Sequence, residues 1–295
     1  MRVLLIYYTG TYHTRYLTEQ VKARFVAKGC LVDTLEITCD AAPVKTDGYD
    51  LIGFSYPIYG FNSPRPFNRY VKTLTFHKGQ RYFIYKNSGE VLAINNASSR
   101  WLIRYLHRFA MELQGEYHFV MPYNIHFPYA RDFVRQILHY DQKLLDILFY
   151  DLAHGTGKAI PSRWYYDLAA FFVSIQKIGG DLNSFFYRVD ETKCTHCGKC
   201  VRDCPERNIY EKNDRLRFHH HCDMCMRCSF HCPQNAIHIG FLEPWKVNGA
   251  YPFRELEADQ SPLTPYITKD SKGFYKCFIA YFEQIDREHK RLFRE

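Results

Sequence analysis

Eight of the eleven cysteines in this 295-residue chain lie between positions 194 and 232, in two copies of one motif. The copies read CTHCGKCVRDCP and CDMCMRCSFHCP, so each has the spacing C-x2-C-x2-C-x3-C-P. Thiolates are soft ligands, and four of them suit an iron–sulfur cube. In this spacing three neighbouring cysteines bind one cube, and the fourth, next to its proline, reaches the other. The sequence therefore predicts two [4Fe–4S] clusters.

This crossing rule assigns a set of four cysteines to each cluster. The first quartet is predicted to be Cys194, Cys197, Cys200 and Cys232. The second quartet is predicted to be Cys222, Cys225, Cys228 and Cys204. Disulfides would require an oxidising compartment, and zinc sites pair their cysteines across a longer loop, so both alternatives fit the spacing poorly. The segment resembles the bacterial two-cluster ferredoxins, whose motifs it matches without a gap.

The first 125 residues alternate short apolar runs with helical patterns. Apolar runs of this length are consistent with buried strands, and their alternation with helices favours a parallel α/β sheet. The predicted strands are Val3–Tyr8, Leu31–Ile37, Leu51–Tyr56, Arg81–Tyr85 and Glu116–Ile125. Ligands of such sheets bind outside the carboxyl ends of the strands, so the loops at that edge are the candidate site.

Three of these loops together predict a site for flavin mononucleotide (FMN). The loop Thr9-Gly10-Thr11-Tyr12-His13-Thr14 opens a helix and offers N–H groups and hydroxyls to a phosphate. The loop Pro57-Ile58-Tyr59-Gly60-Phe61-Asn62 offers aromatic rings that stack on a flat ring system. The loop Lys86-Asn87-Ser88-Gly89-Glu90 offers backbone and amide groups to a ring edge. A threonine-rich helix start that binds nothing is the alternative, because helix starts favour threonine.

The first loop resembles the phosphate loop of the flavodoxins, S/T-G-T-G-N-T. The chain departs from that pattern at Tyr12, where the family has glycine, and at His13, where it has asparagine. The resemblance implies a doubly wound five-stranded parallel sheet that binds FMN. With the cysteine motifs, Met121-Pro122-Tyr123-Asn124 and Val247-Asn248-Gly249-Ala250-Tyr251, residues 1–252 resemble the fused flavodoxin–ferredoxin (iron–sulfur flavoprotein) family of anaerobic prokaryotes.

These observations predict an α/β chain with four parts. Residues 1–154 are expected to form a flavodoxin-like FMN-binding domain, and residues 155–187 a helical connector. Residues 188–241 are expected to form a small α+β two-cluster ferredoxin-like domain, and residues 242–295 a C-terminal extension. Periodicity predicts a connector helix over Trp164–Ile178 that ends at Gly179-Gly180, and an amphipathic helix over Phe274–Leu292. The connector either bridges the two domains or covers the flavin, and the last helix docks either onto the body or onto a partner.

The formal net charge of +8 would by itself suggest nucleic acid or an acidic protein as a partner. Two clusters and a flavin phosphate would bring the charge of the loaded protein to about +2, so nucleic acid is not an expected partner. No apolar run is long enough for a membrane span or a secretion signal, and a cytoplasmic location is expected.

The parts predict an electron-transfer protein that works between two [4Fe–4S] clusters and FMN. Such a converter of single electrons into electron pairs would serve a redox partner protein, either a ferredoxin or a reductase. The alternative is an FMN-dependent reductase of a small-molecule acceptor, with residues 126–190 forming the substrate pocket. The sequence does not distinguish the two.

Overall fold

The first half of the chain is built on a five-stranded parallel sheet with the strand order β2-β1-β3-β4-β5. This is the flavodoxin-like order, and its switch point lies between β1 and β3. The computed structural model describes residues 1–174 and 176–293. The strands are β1 Arg2–Tyr7, β2 Leu31–Glu36, β3 Leu51–Ser55, β4 Arg81–Ser88 and β5 Glu112–Val120. The predicted five-stranded parallel α/β sheet is confirmed.

Helices cover both faces of this sheet, because the central strands are apolar on both sides. Leu17, Val21 and Phe25 of one helix pack on one face, together with the longest helix of the chain. Phe67 and Leu102 belong to the two helices on the opposite face. The helices of this part are α1 His13–Ala27, α2 Arg65–Val71, α3 Arg100–His107 and α4 Arg131–His154.

Two strands differ from the sequence prediction by more than one residue. The last strand starts and ends earlier than Glu116–Ile125, because Met121 begins an irregular segment that turns over the edge of the sheet. The fourth strand extends to Ser88, so Lys86, Asn87 and Ser88 belong to β4 and not to a loop. Lys86 is consequently held by the sheet with a fully buried side chain.

The connector contains two helices where the sequence predicted one. These are α5 Trp164–Val173 and α6 Gln176–Ser184. The predicted stop at Gly179-Gly180 is wrong, because α6 continues through both glycines to Ser184. Ile175, inside the predicted helix Trp164–Ile178, lies outside the described residues, as do Arg294 and Glu295.

The cysteine motifs lie in a small α+β unit of two antiparallel strand pairs and two short helices. Strands β6 and β9 pair across the base of the unit, and β7 and β8 form a hairpin between the two motifs. The elements are β6 Tyr187–Val189, α7 Lys199–Asp203, β7 Ile209–Lys212, β8 Arg215–Phe218, α8 Arg227–Phe230 and β9 Ile237–Ile239. We call residues 1–154 the flavodoxin-like part and residues 188–241 the ferredoxin-like part.

The C-terminal segment returns to the flavodoxin-like part. It contains α9 Phe253–Ala258 and α10 Lys276–Phe293. The Phe282 ring stacks on Tyr140 of α4 at a centroid distance of 4.1 Å, and the Tyr281 hydroxyl donates to the His118 carbonyl oxygen at 2.8 Å. Of the two alternatives that the sequence left open, the last helix docks onto the body of the protein. Among residues 1–174 and 176–293, no helix combines the length and the apolar character that crossing a bilayer requires.

Candidate functional site

A cavity of about 690 Å³ lies at the carboxyl edge of the sheet, where the sequence predicted a ligand. This volume falls within the usual range for small-molecule and cofactor sites. All three predicted loops contribute to its wall. The predicted residues in the lining are Thr9, Gly10, Thr11, His13, Thr14, Pro57, Ile58, Tyr59, Gly60, Phe61, Asn87, Ser88, Gly89 and Glu90. We call this space the large cavity.

The first loop brings the amino end of α1 to the wall of the large cavity. Tyr12 caps the helix in the left-handed conformation, with φ 67°, and makes no side-chain hydrogen bond to the first turn. The N–H groups of that turn therefore keep their capacity to bind an anion. Thr9 is fully buried, and its Oγ1 has no hydrogen-bond partner within the described chain. A buried hydroxyl without a partner is costly, so this position fits a ligand that would accept its hydrogen bond.

A direct hydrogen bond joins the first loop to the third, and Tyr123, from the segment after β5, packs against the third loop. The Thr14 hydroxyl donates to the amide oxygen of Asn87 at 2.8 Å. The Tyr123 hydroxyl donates to the Glu90 carboxylate at 2.5 Å, and Tyr123 also fills the space beside Gly89. A methyl group on Gly89 would stand 2.0 Å from the Tyr123 ring, so only glycine fits. These contacts hold the two loops at fixed separation around the cavity.

Three predicted residues do not line the large cavity. The Asn62 amide instead donates to the carbonyl oxygens of Gly60 and Ala170, at 2.8 and 2.9 Å, and ties the second loop to α5. Lys86 pairs with Glu116 at 2.6 Å in the core, because the alternation of β4 turns its side chain away from the cavity. Burial lowers the pKa of Lys86, and the Glu116 carboxylate opposes that change. The third residue, Tyr12, faces the ferredoxin-like part.

Several residues of the lining lie outside the three predicted loops. Met121 to His126 follow β5 at the same sheet edge, and the rule that ligands bind at carboxyl ends could have found them. Asn124 donates from its amide to the Thr11 hydroxyl at 3.1 Å. Val173, Ser174, Gly179 and Asn183 lie within residues 126–190, the segment that the sequence assigned to a pocket under the alternative function. The remaining lining residues come from distant parts of the chain, and no local pattern predicts them: Cys222, Asp223, Met224, Met226, Phe241 and Leu242.

The eight motif cysteines line two smaller cavities, and each cavity has all four members of one predicted quartet in its wall. One cavity of about 30 Å³ has all four members of the first quartet in its wall: Cys194, Cys197, Cys200 and Cys232. Another, of about 20 Å³, has all four members of the second quartet: Cys222, Cys225, Cys228 and Cys204. Cys228 also touches the first of these spaces, so the two cavities are neighbours.

Backbone N–H groups point at the sulfur atoms, as they do around iron–sulfur cubes. The N–H of Asn208 donates to Cys204 Sγ at 3.2 Å, and that of Ala236 donates to Cys232 Sγ at 3.3 Å. Each donor follows its cysteine by four positions, beyond the motif proline, so the two halves repeat the same local geometry. Such hydrogen bonds stabilise the negative charge that a thiolate-bound cluster carries.

Comparison with known proteins agrees with this geometry. Residues 186–233 match the family model of the 4Fe-4S dicluster domain. A segment of 63 residues is 35% identical to an uncharacterised ferredoxin of Methanocaldococcus jannaschii, covering 82% of that protein and 20% of this chain. The chain belongs to the ferredoxin family through this segment.

Solved flavodoxins are similar to the other half of the chain. A flavodoxin of Streptococcus pneumoniae is 15% identical over 52% of this chain and 99% of its own, with a TM-score of 0.37. A flavodoxin from the domain Archaea is 11% identical over 51% of this chain and 99% of its own, also with a TM-score of 0.37. The flavodoxin-like assignment rests on the strand order of the sheet itself. The chain therefore joins a flavodoxin-like sheet to a two-cluster ferredoxin domain.

The two parts meet at the first loop. Gly10 packs against the backbone of Cys225, and a methyl group on Gly10 would stand 2.8 Å from the Cys225 carbonyl oxygen. Arg227, which lies between two cysteines of the second quartet and is only 4% exposed, donates to the carbonyl oxygens of Thr9 and Gly10 at 2.5 and 2.6 Å. The loop that opens α1 is therefore held by the segment that carries the second quartet.

Arg65 makes a second junction between the parts. Its guanidinium pairs with Asp223 at 3.0 Å and donates to the carbonyl oxygen of Cys222 at 3.2 Å. The same group pairs with Asp181 of α6 at 2.9 Å, so one arginine holds the connector and the second quartet at the amino end of α2. Because Cys222 also lines the large cavity, the second quartet is the one adjacent to the predicted flavin site.

Proposed function

We propose that this protein transfers electrons between FMN in the large cavity and two [4Fe–4S] clusters held by the crossed quartets. The observation that carries the proposal is that one cavity wall contains both the flavodoxin-like loops and Cys222. A site for a flavin phosphate and a cluster ligand are thus neighbours across the Gly10–Cys225 contact. A bound FMN accepts one or two electrons and each cluster exchanges one, so the pair would convert single electrons into electron pairs.

The residues of the large cavity have separate parts in holding the flavin. The amino end of α1 and the hydroxyls of Thr9, Thr11 and Thr14 would bind the phosphate. The rings of Tyr59 and Phe61 would stack on the flat ring system, and the segment from Asn87 to Glu90 would bind its edge. The junction made by Arg227 and Gly10 holds the second quartet against this site, and its burial excludes water from the contact.

The proposed partner is a redox protein, a ferredoxin or a reductase, that exchanges electrons with the first quartet. Cys197 of that quartet is exposed, whereas the second quartet lies against the large cavity. Electrons from a protein partner would therefore enter or leave at the first quartet and pass through the second. This order follows because the first quartet includes an exposed cysteine that a partner protein can approach.

The second candidate function is reduction of a small molecule at the flavin. The observation that favours it is the composition of the part of the cavity wall that lies outside the three predicted loops. His126, Val173, Gly179, Asn183 and Phe241 come from the segment after β5, the connector helices and the segment after β9, and they line the same cavity. A pocket of this kind next to a flavin would take a flat or apolar acceptor.

The deciding experiment begins with protein purified without oxygen. We expect about one FMN and about eight iron atoms per chain, because each of the two clusters contains four irons. Recovery of FAD, or of no flavin, would contradict the flavin assignment, and zinc in place of iron would contradict the cluster assignment. Turnover of quinones or nitro compounds with a chemical reductant alone supports the reductase, whereas turnover that requires an added ferredoxin supports the carrier.

Thr9→Val tests the flavin site with little change in volume. Valine has nearly the shape of threonine but lacks the hydroxyl whose partner would be the phosphate, so FMN affinity should fall about tenfold while iron content stays unchanged. Thr34→Ala, at an exposed position on β2, is the matched control and should leave both quantities unchanged. Equal FMN affinity in the two variants would argue against the phosphate at this loop.

A further inference from the structure

Two tyrosines of the flavodoxin-like part turn their hydroxyls toward the second quartet. Tyr8 follows β1 and is fully buried, and Tyr59 follows β3. Their rings meet edge to face at a centroid distance of 6.3 Å. In the part of the chain that the structure describes, neither hydroxyl has a hydrogen-bond partner, although both oxygens are shielded from solvent. A buried hydroxyl without a partner is costly enough to need an explanation.

The Tyr59 hydroxyl lies directly beside Cys225. The point where a methyl group on Gly10 would stand is 2.2 Å from the Tyr59 hydroxyl oxygen and 3.4 Å from Cys225 Cβ. The absence of a side chain on Gly10 is therefore what lets this hydroxyl approach the cysteine. A ligand of the second quartet and a phenol of the other part share one small space.

Both phenols can donate a hydrogen bond near neutral pH, because the hydroxyl of a tyrosine keeps its proton there. Burial raises the pKa of Tyr8 and of Tyr59 well above the ordinary value for tyrosine, and the negative charge of a Cys225 thiolate adds to the rise. A third phenol lies at the same quartet, since the Tyr187 hydroxyl is 3.9 Å from Cys222 Sγ. Within the described chain, the cavity of the first quartet has no tyrosine in its lining.

We propose that the hydroxyls of Tyr8 and Tyr59 donate hydrogen bonds to sulfur atoms of the cluster held by the second quartet, and so raise its reduction potential. The proposal rests on the crossed cluster assignment and not on the presence of FMN. Hydrogen bonds to the sulfurs are among the features that set cluster potentials. They favour the reduced form because it carries one more negative charge.

No proton moves in the step that these phenols influence. The cluster would gain one electron from its donor, and the O–H bonds of both tyrosines would stay intact because a phenol keeps its proton near neutral pH. Tyr8 and Tyr59 are therefore positioning residues that act on the potential through the thiolates. Since both belong to the flavodoxin-like part, the potential of the second cluster depends on how the two parts are docked. Within the described chain, no residue of the flavodoxin-like part lines the cavity of the first quartet.

The test is a reductive titration of both clusters followed by electron paramagnetic resonance, on the full chain with FMN loaded and with FMN removed. In Tyr59→Phe, one of the two clusters should have a reduced-to-oxidised ratio about tenfold lower at a fixed solution potential, equivalent to a shift of about 59 mV for one electron. Tyr8→Phe should shift the same cluster in the same direction. Tyr85→Phe, a buried core tyrosine that donates to Thr18, is the control and should leave both clusters unchanged.

A second variant separates a hydrogen bond from simple packing. A fluorinated tyrosine with a more acidic phenol at position 59 is a stronger donor, so it should raise the potential of the cluster that Tyr59→Phe lowers. Opposite shifts in the two variants would not arise from a change in packing. Iron content of each variant reports whether the clusters are retained.

Three outcomes would overturn the proposal. In the first, neither reduction potential changes in Tyr59→Phe and Tyr8→Phe. In the second, the potentials of both clusters change equally. In the third, Tyr59→Phe weakens FMN binding while both potentials stay unchanged. The last result would mean that the phenol faces the flavin phosphate. Because the potentials are also measured without FMN, loss of flavin binding and loss of the tyrosine effect are distinguishable. Failure of the flavin assignment alone would leave the predicted shift intact.

Discussion

Arg227 donates from Nε to the carbonyl oxygen of Gly10 at 2.6 Å, although the two residues stand 217 positions apart. The same guanidinium donates to the carbonyl oxygens of Thr9 at 2.5 Å and Asp203 at 2.9 Å. It also lies 4.8 Å from the centre of the Tyr12 ring. One buried side chain in the second cysteine motif thus fixes the backbone of the predicted phosphate loop.

Replacing this arginine should loosen the flavin site without removing the clusters. A lysine in Arg227→Lys cannot reach three carbonyl oxygens at once, and each hydrogen bond to a charged group contributes about 1.5–3 kcal/mol. We expect FMN affinity to fall at least tenfold and the free energy of unfolding to fall by about 2 kcal/mol, with iron content unchanged. Flavin fluorescence titration and denaturant unfolding measure the two effects.

Arg69→Lys is the matched control for this substitution. Arg69 also joins the two parts, through Glu206 at 2.8 Å, but its side chain is 60% exposed. An exposed ion pair contributes little, so this variant should bind FMN as the unmodified protein does. If Arg227→Lys also bound FMN with unchanged affinity, the fixed loop would not be what the flavin requires.

The crossed quartets can be tested by counting iron in paired variants. Cys197→Ser with Cys232→Ser removes two ligands of one predicted cluster, so about four of the eight iron atoms should remain. Cys197→Ser with Cys204→Ser removes one ligand from each cluster, so both clusters should be damaged and little iron retained. An uncrossed arrangement, in which each motif binds its own cube, predicts the opposite result for the two pairs.

The elements that could be predicted from the sequence are those whose cause is local. The cysteine spacing, the alternation of strands with helices and the first two loops all depend on neighbours within a few positions, and each appears in the structure. The third predicted loop lies mostly in β4 instead. The connector was predicted less well. Helix α6 passes through Gly179-Gly180 because Gly180 packs on the Cys222 backbone, where a methyl group would stand 2.7 Å from its carbonyl oxygen.

The departures from the flavodoxin pattern at positions 12 and 13 have a cause that the sequence does not reveal. The Tyr12 ring packs at a tilt against His231 at a centroid distance of 4.7 Å, and its hydroxyl donates to Asp203 at 3.3 Å. His13 packs edge to face on Phe230 at 5.6 Å. All three contacts are made with the ferredoxin-like part, some 200 positions away. Tyr12 and His13 therefore make the predicted phosphate loop part of an interface between the two parts.

Two variants at position 12 separate the backbone strain of Tyr12 from the contacts that its side chain makes. A residue with a side chain is disfavoured at φ 67°, and glycine is not. Tyr12→Ala loses the ring and keeps the strain, whereas Tyr12→Gly loses the ring and relieves the strain. The glycine variant should therefore be more stable than the alanine variant by about 1 kcal/mol in denaturant unfolding.

Ala23→Gly is the control in the same helix, and there we expect glycine to be less stable than alanine. Ala23 is exposed on α1, where glycine costs about 1 kcal/mol relative to alanine. If Tyr12→Gly were less stable than Tyr12→Ala, the left-handed conformation at the helix start would not be a source of strain.

A buried histidine should make the protein less stable in mild acid. His118 on β5 lies 2.7 Å from the Ser88 hydroxyl, and burial lowers its pKa to about 3, with a smaller contribution from the positive charge of Lys86. Its pKa in the unfolded chain is about 6.5. Above that pH both states are neutral and His118 has no effect. Below about pH 6.5 the unfolded chain binds a proton at His118 that the folded chain does not bind. The free energy of unfolding therefore falls as the pH falls, until about pH 3.

The expected cost is about 2 kcal/mol at about pH 5, since each pH unit within this window contributes about 1.4 kcal/mol. His118→Gln removes the titrating group, so its free energy of unfolding should fall less than that of the unmodified protein between about pH 7.5 and about pH 5. Denaturant unfolding at the two pH values, with equal cofactor content, measures the difference. His107→Gln, at an exposed position on α3, should leave the pH dependence unchanged. If the free energy of unfolding fell equally in His118→Gln and in the unmodified protein, the folded protein would protonate His118. The Lys86–Glu116 pair beside it would then not require a neutral ring.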